Sequence, residues 1–276
     1  MIKSILSTVL KGLVVGASML VPGVSGGTTC IILGIYDKLI HAVSSFFSDI
    51  KHNFALLALF CLGGGIGMIL FSRAMLWAVE TWKLPMMCFF LGAILGSLPM
   101  LYRQAKVDRF KPVYILFAIL GFAIVLALQF IPKPESGLAI GGIGQVALLF
   151  ASGLVIAVAL VLPGISTSQM LIVLGMYETT LQAIKTLNLP YLVPLGLGGL
   201  LGIVLVTGLI EKALTKYPRV SYFFIIGFVV GSLKFLVDPI IAESSGLPSA
   251  LELGVCVVTL AGGYAAIRAV SKYSKE

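Results

Sequence analysis

The stretch "VPGVSGGTTC", residues 21–30, interrupts what its surroundings write as a continuous apolar helix, and it has a partner in "VLPGISTSQM", residues 161–170. Proline cannot continue a helix interior, and glycine permits tight turns and close backbone approach. Each stretch therefore breaks a segment that would otherwise cross a bilayer. Of the 276 residues, 59% are hydrophobic and 11% charged, and the mean hydropathy is +1.11. A water-soluble domain could not hide that much apolar surface. The chain reads as an all-α integral membrane protein. A hydrocarbon core of about 30 Å needs roughly 20 helical residues. Suitable runs fall at 54–79, 85–102, 113–131, 190–210, 218–237 and 249–267, and the interrupted regions occupy 5–40 and 145–178.

The interrupted regions open the two copies of an internal repeat. Residues 12–43 laid over 153–184 give eleven identities in thirty-two: "GLVVGASMLVPGVSGGTTCIILGIYDKLIHAV" over "GLVIAVALVLPGISTSQMLIVLGMYETTLQAI". After a loop six residues shorter in the second copy, "GGGIG" at 63–67 falls over "GGLLG" at 198–202, and "LGAILGSL" at 91–98 over "IGFVVGSL" at 226–233. The expected units are 1–135 and 136–276, each a hairpin plus three spans.

Basic loops, which face the cytoplasm, set their orientation. "YRQAKVDRFK" at 102–111 carries four Lys or Arg, "EKALTKYPR" at 211–219 carries three, and the tail carries Arg268, Lys272 and Lys275. The loops at 132–144 and 238–248, with Lys133, Glu135, Asp238 and Glu243, have almost no basic excess. The loop between second and third spans is then inside in the first copy and outside in the second. Inverted repeats with both termini cytoplasmic are predicted. The net charge of +8 is thus a topology signal and not a nucleic-acid surface. No small-residue cleavage site precedes Pro22, so the first segment is expected to remain.

Each interrupted region is expected to be a re-entrant hairpin whose tip reaches the bilayer midplane. The eleven residue steps from Ser25 to Tyr36 would rise about 16 Å as helix. Tyr36 and Tyr177, with Asp37 and Glu178 after them, would then sit at opposite interfaces. Pro22, Gly23, Pro163 and Gly164 form the turns, Ser25 and Ser166 stand at N-cap positions, and Ser166 to Gln169 fits a capping box. Backbone without helical hydrogen bonds is tolerated at membrane depth only inside protein or beside a wet cavity. Two tips from opposite faces define such a place, and both returning helices aim their positive ends at it. Ser25, Gly26, Gly27, Thr28, Ser166, Thr167, Ser168 and Gln169 are the candidate anion-binding residues.

Blander readings stand beside this one. Small residues at a kink also serve helix packing. "GVSGG" at 23–27 matches the G-x-S-x-G nucleophile pattern of a serine hydrolase, but His41 and His52 fall in a loop away from Ser25, and the second copy reads "GISTS" with Gln182 in place of His41. Arg73 and Lys234 are either headgroup-capturing charges or ordinary ones, Arg73 snorkelling near Glu80 and Lys83 and Lys234 pairing with Asp238. Cys30, Cys61, Cys88 and Cys256 are scattered singly, so no metal, cofactor or disulfide is expected.

"GASMLVPGVSGGT" at 16–28, "LPGISTS" at 162–168 and "LGSLP" at 95–99 resemble the polyprenyl-phosphate transporter (PopT) family, long catalogued as a bacterial domain of unknown function, over essentially the whole chain. The resemblance implies a non-enzymatic flippase of the bacterial plasma membrane. Its cargo would be undecaprenyl phosphate, the carrier lipid of cell-wall synthesis, returned from the outer to the inner leaflet. An isoprenoid phosphate is an anion on an apolar tail, which suits a polar midplane site surrounded by membrane lipid. Rocking of the two halves would expose the site alternately. A carrier or channel for a small soluble anion remains the alternative, and a proton or sodium coupling ion stays open.

Overall fold

A computed structural model describes residues 2–24, 26–44, 46–109, 111–130, 142–162, 165–243 and 250–273. Helices dominate, and no strand occurs among the described residues. The first half runs α1 (Ile2–Ser18), α2 (Gly26–Ile32), α3 (Tyr36–Ser44), α4 (Ile50–Thr81), α5 (Lys83–Gln104) and α6 (Pro112–Ala127). The second runs α7 (Ile143–Val161), α8 (Thr167–Val173), α9 (Tyr177–Thr186), α10 (Leu189–Lys216), α11 (Pro218–Ser232), α12 (Lys234–Glu243) and α13 (Ala250–Tyr273).

Six stretches among the described residues are long and apolar enough to cross a membrane: Ile50–Thr81, Lys83–Gln104, Ile143–Val161, Leu189–Lys216, Pro218–Ile241 and Leu251–Val270. The protein is multi-pass. Five of these match expected spans. The sixth is α7, the entering arm of the second hairpin. The span expected at 113–131 is instead the 16-residue α6 followed by a 3-10 turn, Leu128–Phe130, a helix of only about 24 Å.

Four glycine-lined seams hold the helices together: α1 on α4, α7 on α10, α5 on α13 and α6 on α11. Lipid tails are as apolar as leucine, so helices in a membrane associate through close packing at small residues. A Cβ placed on Gly63 would lie 2.1 Å from the Val9 carbonyl oxygen, and one on Gly198 2.0 Å from that of Phe150. Gly92 stands likewise against Leu260 at 2.0 Å and Gly227 against Ala118 at 1.8 Å. Val9 and Phe150, Gly63 and Gly198, Gly92 and Gly227 are pairs that the sequence repeat superposes, so the same contacts occur in both halves. The last two seams are crossed, joining the second span of one half to the third of the other.

The ends of α5 orient the rest. Near its C-terminal end the Arg219 guanidinium pairs with Asp108 and donates from Nε to the Lys106 carbonyl at 3.1 Å, so two of the basic loops lie together. At its N-terminal end Met86 and Met87 share a cavity with Asp238. Leu197, Val204, Leu205 and Leu209 leave an exposed apolar face on α10, as a lipid-facing helix requires. The core gathers around α8, where Ile165, Met170 and Val173 pack with Leu20, Phe90, Ile94, Ile225 and Val229.

Candidate functional site

The returning helices α2 and α8 start within a few residues of the two Pro-Gly pairs of the sequence. Ser25, Pro163 and Gly164 lie outside the described residues, as does the side chain of Thr28. Each returning helix has seven residues, about 10 Å by helix rise, which corrects the eleven-residue return expected from sequence. The cause is a C-terminal cap that sequence reasoning passed over. Gly34 at φ +60 and Gly175 at φ +67 take the left-handed conformation that ends a helix. The Ile35 amide then bonds the Cys30 carbonyl at 3.0 Å and the Met176 amide that of Leu171 at 2.8 Å, which is the Schellman pattern. "LGIY" and "LGMY", glycine followed by an apolar residue, were its signal.

The two tips touch. The backbone amide of Gly23, itself at φ +85, donates to Ser166 Oγ at 3.0 Å, joining residues 143 apart. Ser166 caps α8 as expected, accepting from the Gln169 amide at 3.2 Å. Its hydroxyl also lies 3.1 Å from that of Ser168.

The capping box is not completed. Gln169 Nε2 turns away to donate to Ser232 Oγ on α11 at 2.7 Å, and Ser232 in turn donates to the Val229 carbonyl at 2.7 Å. Because the Ser232 proton is spent on Val229, only its lone pair faces Gln169, and this fixes the orientation of the amide. Gln169 is 1% exposed, and its Oε1 has no hydrogen-bond partner. A buried acceptor left over in this way calls for a donor. Ser97 repeats the arrangement of Ser232 in the first half, donating to Ile94 at 2.7 Å. The aligned "GSL" of both copies was the sequence signal for these two serines.

Tyr177 was expected at a membrane interface and is instead buried. Its hydroxyl donates to the Leu20 carbonyl at 2.8 Å, and its ring meets Phe90 edge-on at 5.7 Å. It is a second tie between the halves, and nothing local in the sequence marks it. Tyr36 and Glu178 are exposed. On the first tip, Ser18 Oγ bonds the Val15 carbonyl at 2.8 Å and lies 3.0 Å from Thr29 Oγ1. Gly26 and Thr167 are half-buried and Gly27 is exposed.

Lys234 pairs with Asp238 one turn away and both are exposed, the blander of its two readings, and Arg73 is exposed on α4. Neither takes part in the bonds that join the tips. The cysteines are free, and no metal-holding group of His, Cys, Asp or Glu occurs among the described residues.

Ser166→Ala would strip an acceptor from both the Gly23 and Gln169 amides. A lost cap and an unpaired buried donor together predict a loss of roughly 1–3 kcal/mol. Thermal unfolding in detergent checks this, and an unchanged midpoint would contradict the bridging role.

Helices long enough to span, crossed seams and a bond from Gly23 to Ser166 that joins the two interrupted regions define a multi-pass helical membrane protein whose halves meet at a polar contact. The profile of the undecaprenyl phosphate translocase-like family matches residues 15–242, and the chain belongs to that family. It is 31% identical over 246 residues to a polyprenyl-phosphate transporter of Vibrio cholerae, covering 83% of this chain and 76% of that protein. A polyprenyl-phosphate transporter of Staphylococcus aureus is 33% identical over 252 residues, covering 87% of each. No solved structure matches the chain.

Proposed function

We propose that the chain carries undecaprenyl phosphate, or a related polyprenyl phosphate, across the bacterial plasma membrane, recycling carrier lipid from the outer to the inner leaflet for cell-wall synthesis. The observation that carries this reading is the bond from the Gly23 amide to Ser166 Oγ. It supports a site between the two interrupted regions, for which the proposed donors are Gly26, Gly27 and Thr28 on one side and Ser166, Thr167, Ser168 and Gln169 on the other. Amide and hydroxyl donors there suit the charged oxygens of a phosphate. The unengaged Gln169 Oε1 suits a protonated one, which a phosphate monoester carries below its second pKa of about 6. Burying an unpaired charge costs several kcal/mol or more, so such a site addresses the main barrier to flipping, while the tail stays in lipid.

The chain is read as two inverted repeats, 1–135 and 136–276, with both termini cytoplasmic. Support comes from α5, whose 22 residues reach about 33 Å. The loop holding Asp108 lies at one of its ends, and Asp238, beside the equivalent loop of the second half, at the other. Cysteines introduced singly at Arg109 and at Ser244 in a cysteine-free background should label from opposite membrane faces. Labelling from one face would end the inverted reading.

Transport without bond chemistry is also part of the proposal. His52 opens α4 beside Asp49, and His41 lies in the last turn of α3, beyond the Gly34 turn from α2. Binding to the purified protein tests the substrate: polyprenyl phosphate should bind, and inorganic phosphate and carboxylates should not compete at equal concentration. Equal competition would favour a carrier of small soluble anions.

A further inference from the structure

The two tips occupy different environments although their sequences align. Tyr177 is 6% exposed and its equivalent Tyr36 40%, and Val173 is fully buried while its equivalent Ile32 is 40% exposed. The helices that follow differ in the same sense. α9 packs across onto α4 of the first half, whereas α3 makes no comparably extensive packing against α10 among the described residues. One hairpin is closed over its neighbour and the other is not.

Tyr177 is the part that closes. Its hydroxyl reaches the Leu20 carbonyl at 2.8 Å, beyond the last turn of α1, where carbonyls lack helical donors. On its other side is a cavity of about 490 Å³ whose lining includes Phe90, Ile172, Tyr177, Glu178 and Asp238. The tyrosine therefore stands between that cavity and the first tip.

We infer that Tyr177 and Tyr36 are alternating gates of one site. In this structure Tyr177 shuts the passage from the Asp238 end. In the opposite state Tyr36 shuts the other end by donating to the carbonyl of Val161, the repeat equivalent of Leu20. The inference rests on the alternating-access reading above. When a carrier is built from two equivalent units, exchanging their conformations yields the second state without any new fold. A buried phenol needs a partner for its hydroxyl, and the end of α7 offers Tyr36 the kind of carbonyl that the end of α1 offers Tyr177.

The test uses a cysteine-free protein carrying Ser168→Cys, treated with a membrane-impermeant maleimide from either face. Removing one buried hydrogen bond shifts a two-state balance by roughly fivefold. Tyr177→Phe should raise the labelling rate from the Asp238 side by about that factor and lower it from the other. Tyr36→Phe should do the reverse. Unchanged rates, or shifts of both variants in the same direction, would overturn the inference. Should Tyr177→Phe fail to fold, the exposed Tyr36→Phe decides alone, because an unaltered labelling ratio there removes the second gate. Opposite shifts, with no binding of polyprenyl phosphate by the protein that retains Ser168, would uphold the gates and reject the lipid substrate. Binding without those shifts would do the opposite.

Discussion

Gly26→Leu is expected to give folded protein that no longer moves polyprenyl phosphate in proteoliposomes, while Gly26→Ala retains most of its transport. Gly26 is the first residue of α2, and a Cβ there would lie 3.0 Å from Met19 Cγ, 3.1 Å from Met19 Sδ and 3.7 Å from Val15 Cγ1. A methionine side chain adapts to a neighbour by changing rotamer, so one extra methyl is absorbed. The branched end of leucine is not. It must displace Met19 and shift the start of α2 on α1, moving the Gly26 and Gly27 amides that are proposed to hold the headgroup. Added bulk in a packed place costs about 1–3 kcal/mol, which a membrane bundle survives, whereas a site with misplaced donors does not function. Wild-type transport by Gly26→Leu would show that the site lies elsewhere.

Gly227→Leu should act on stability instead. A Cβ at Gly227 would lie 1.8 Å from the Ala118 carbonyl oxygen and 2.5 Å from its carbon, and backbone cannot rotate out of the way. α6 and α11 would have to separate, losing the neighbouring contact in which Gly121 stands 2.1 Å by the same measure from the Phe224 carbonyl oxygen. The expected loss is at least about 3 kcal/mol, at the top of the range for overpacked cores, read as a lowered unfolding midpoint in detergent or as failure to accumulate. Gly208→Leu is the control, because nothing lies within 4 Å of a Cβ there, and its midpoint should stay within a few degrees. Equal midpoints for the two variants would mean that the seam is not close-packed.

How much of this was readable beforehand depends on the distance over which each feature is determined. The apolar runs that became α4, α5, α10 and α13 are properties of composition over some 20 residues and were legible. So was the Ser166 cap, because cap and capped amide are three residues apart. The Gln169 side chain departs from the capping-box pattern, which looks only within the helix, because Ser232, 63 residues away, offers a competing acceptor. Tyr177 was placed by its aromatic character at an interface, but a carbonyl 157 residues away and the ring of Phe90 decided its burial. The short returning helices were locally determined and could have been read from Gly34 and Gly175. A single sequence states what is near in the chain and is silent on what folding brings near.

The crossed glycine seams bear on how such a chain came to exist. Each half keeps one seam to itself, α1 on α4 or α7 on α10, and leaves two others to be closed by its counterpart. A single-copy ancestor built on these contacts would have closed them only as a pair of chains, each lending its third span to the other. Fusion of the two genes would then have freed the copies to diverge, so that one tip carries Gln169 where the other carries Thr28.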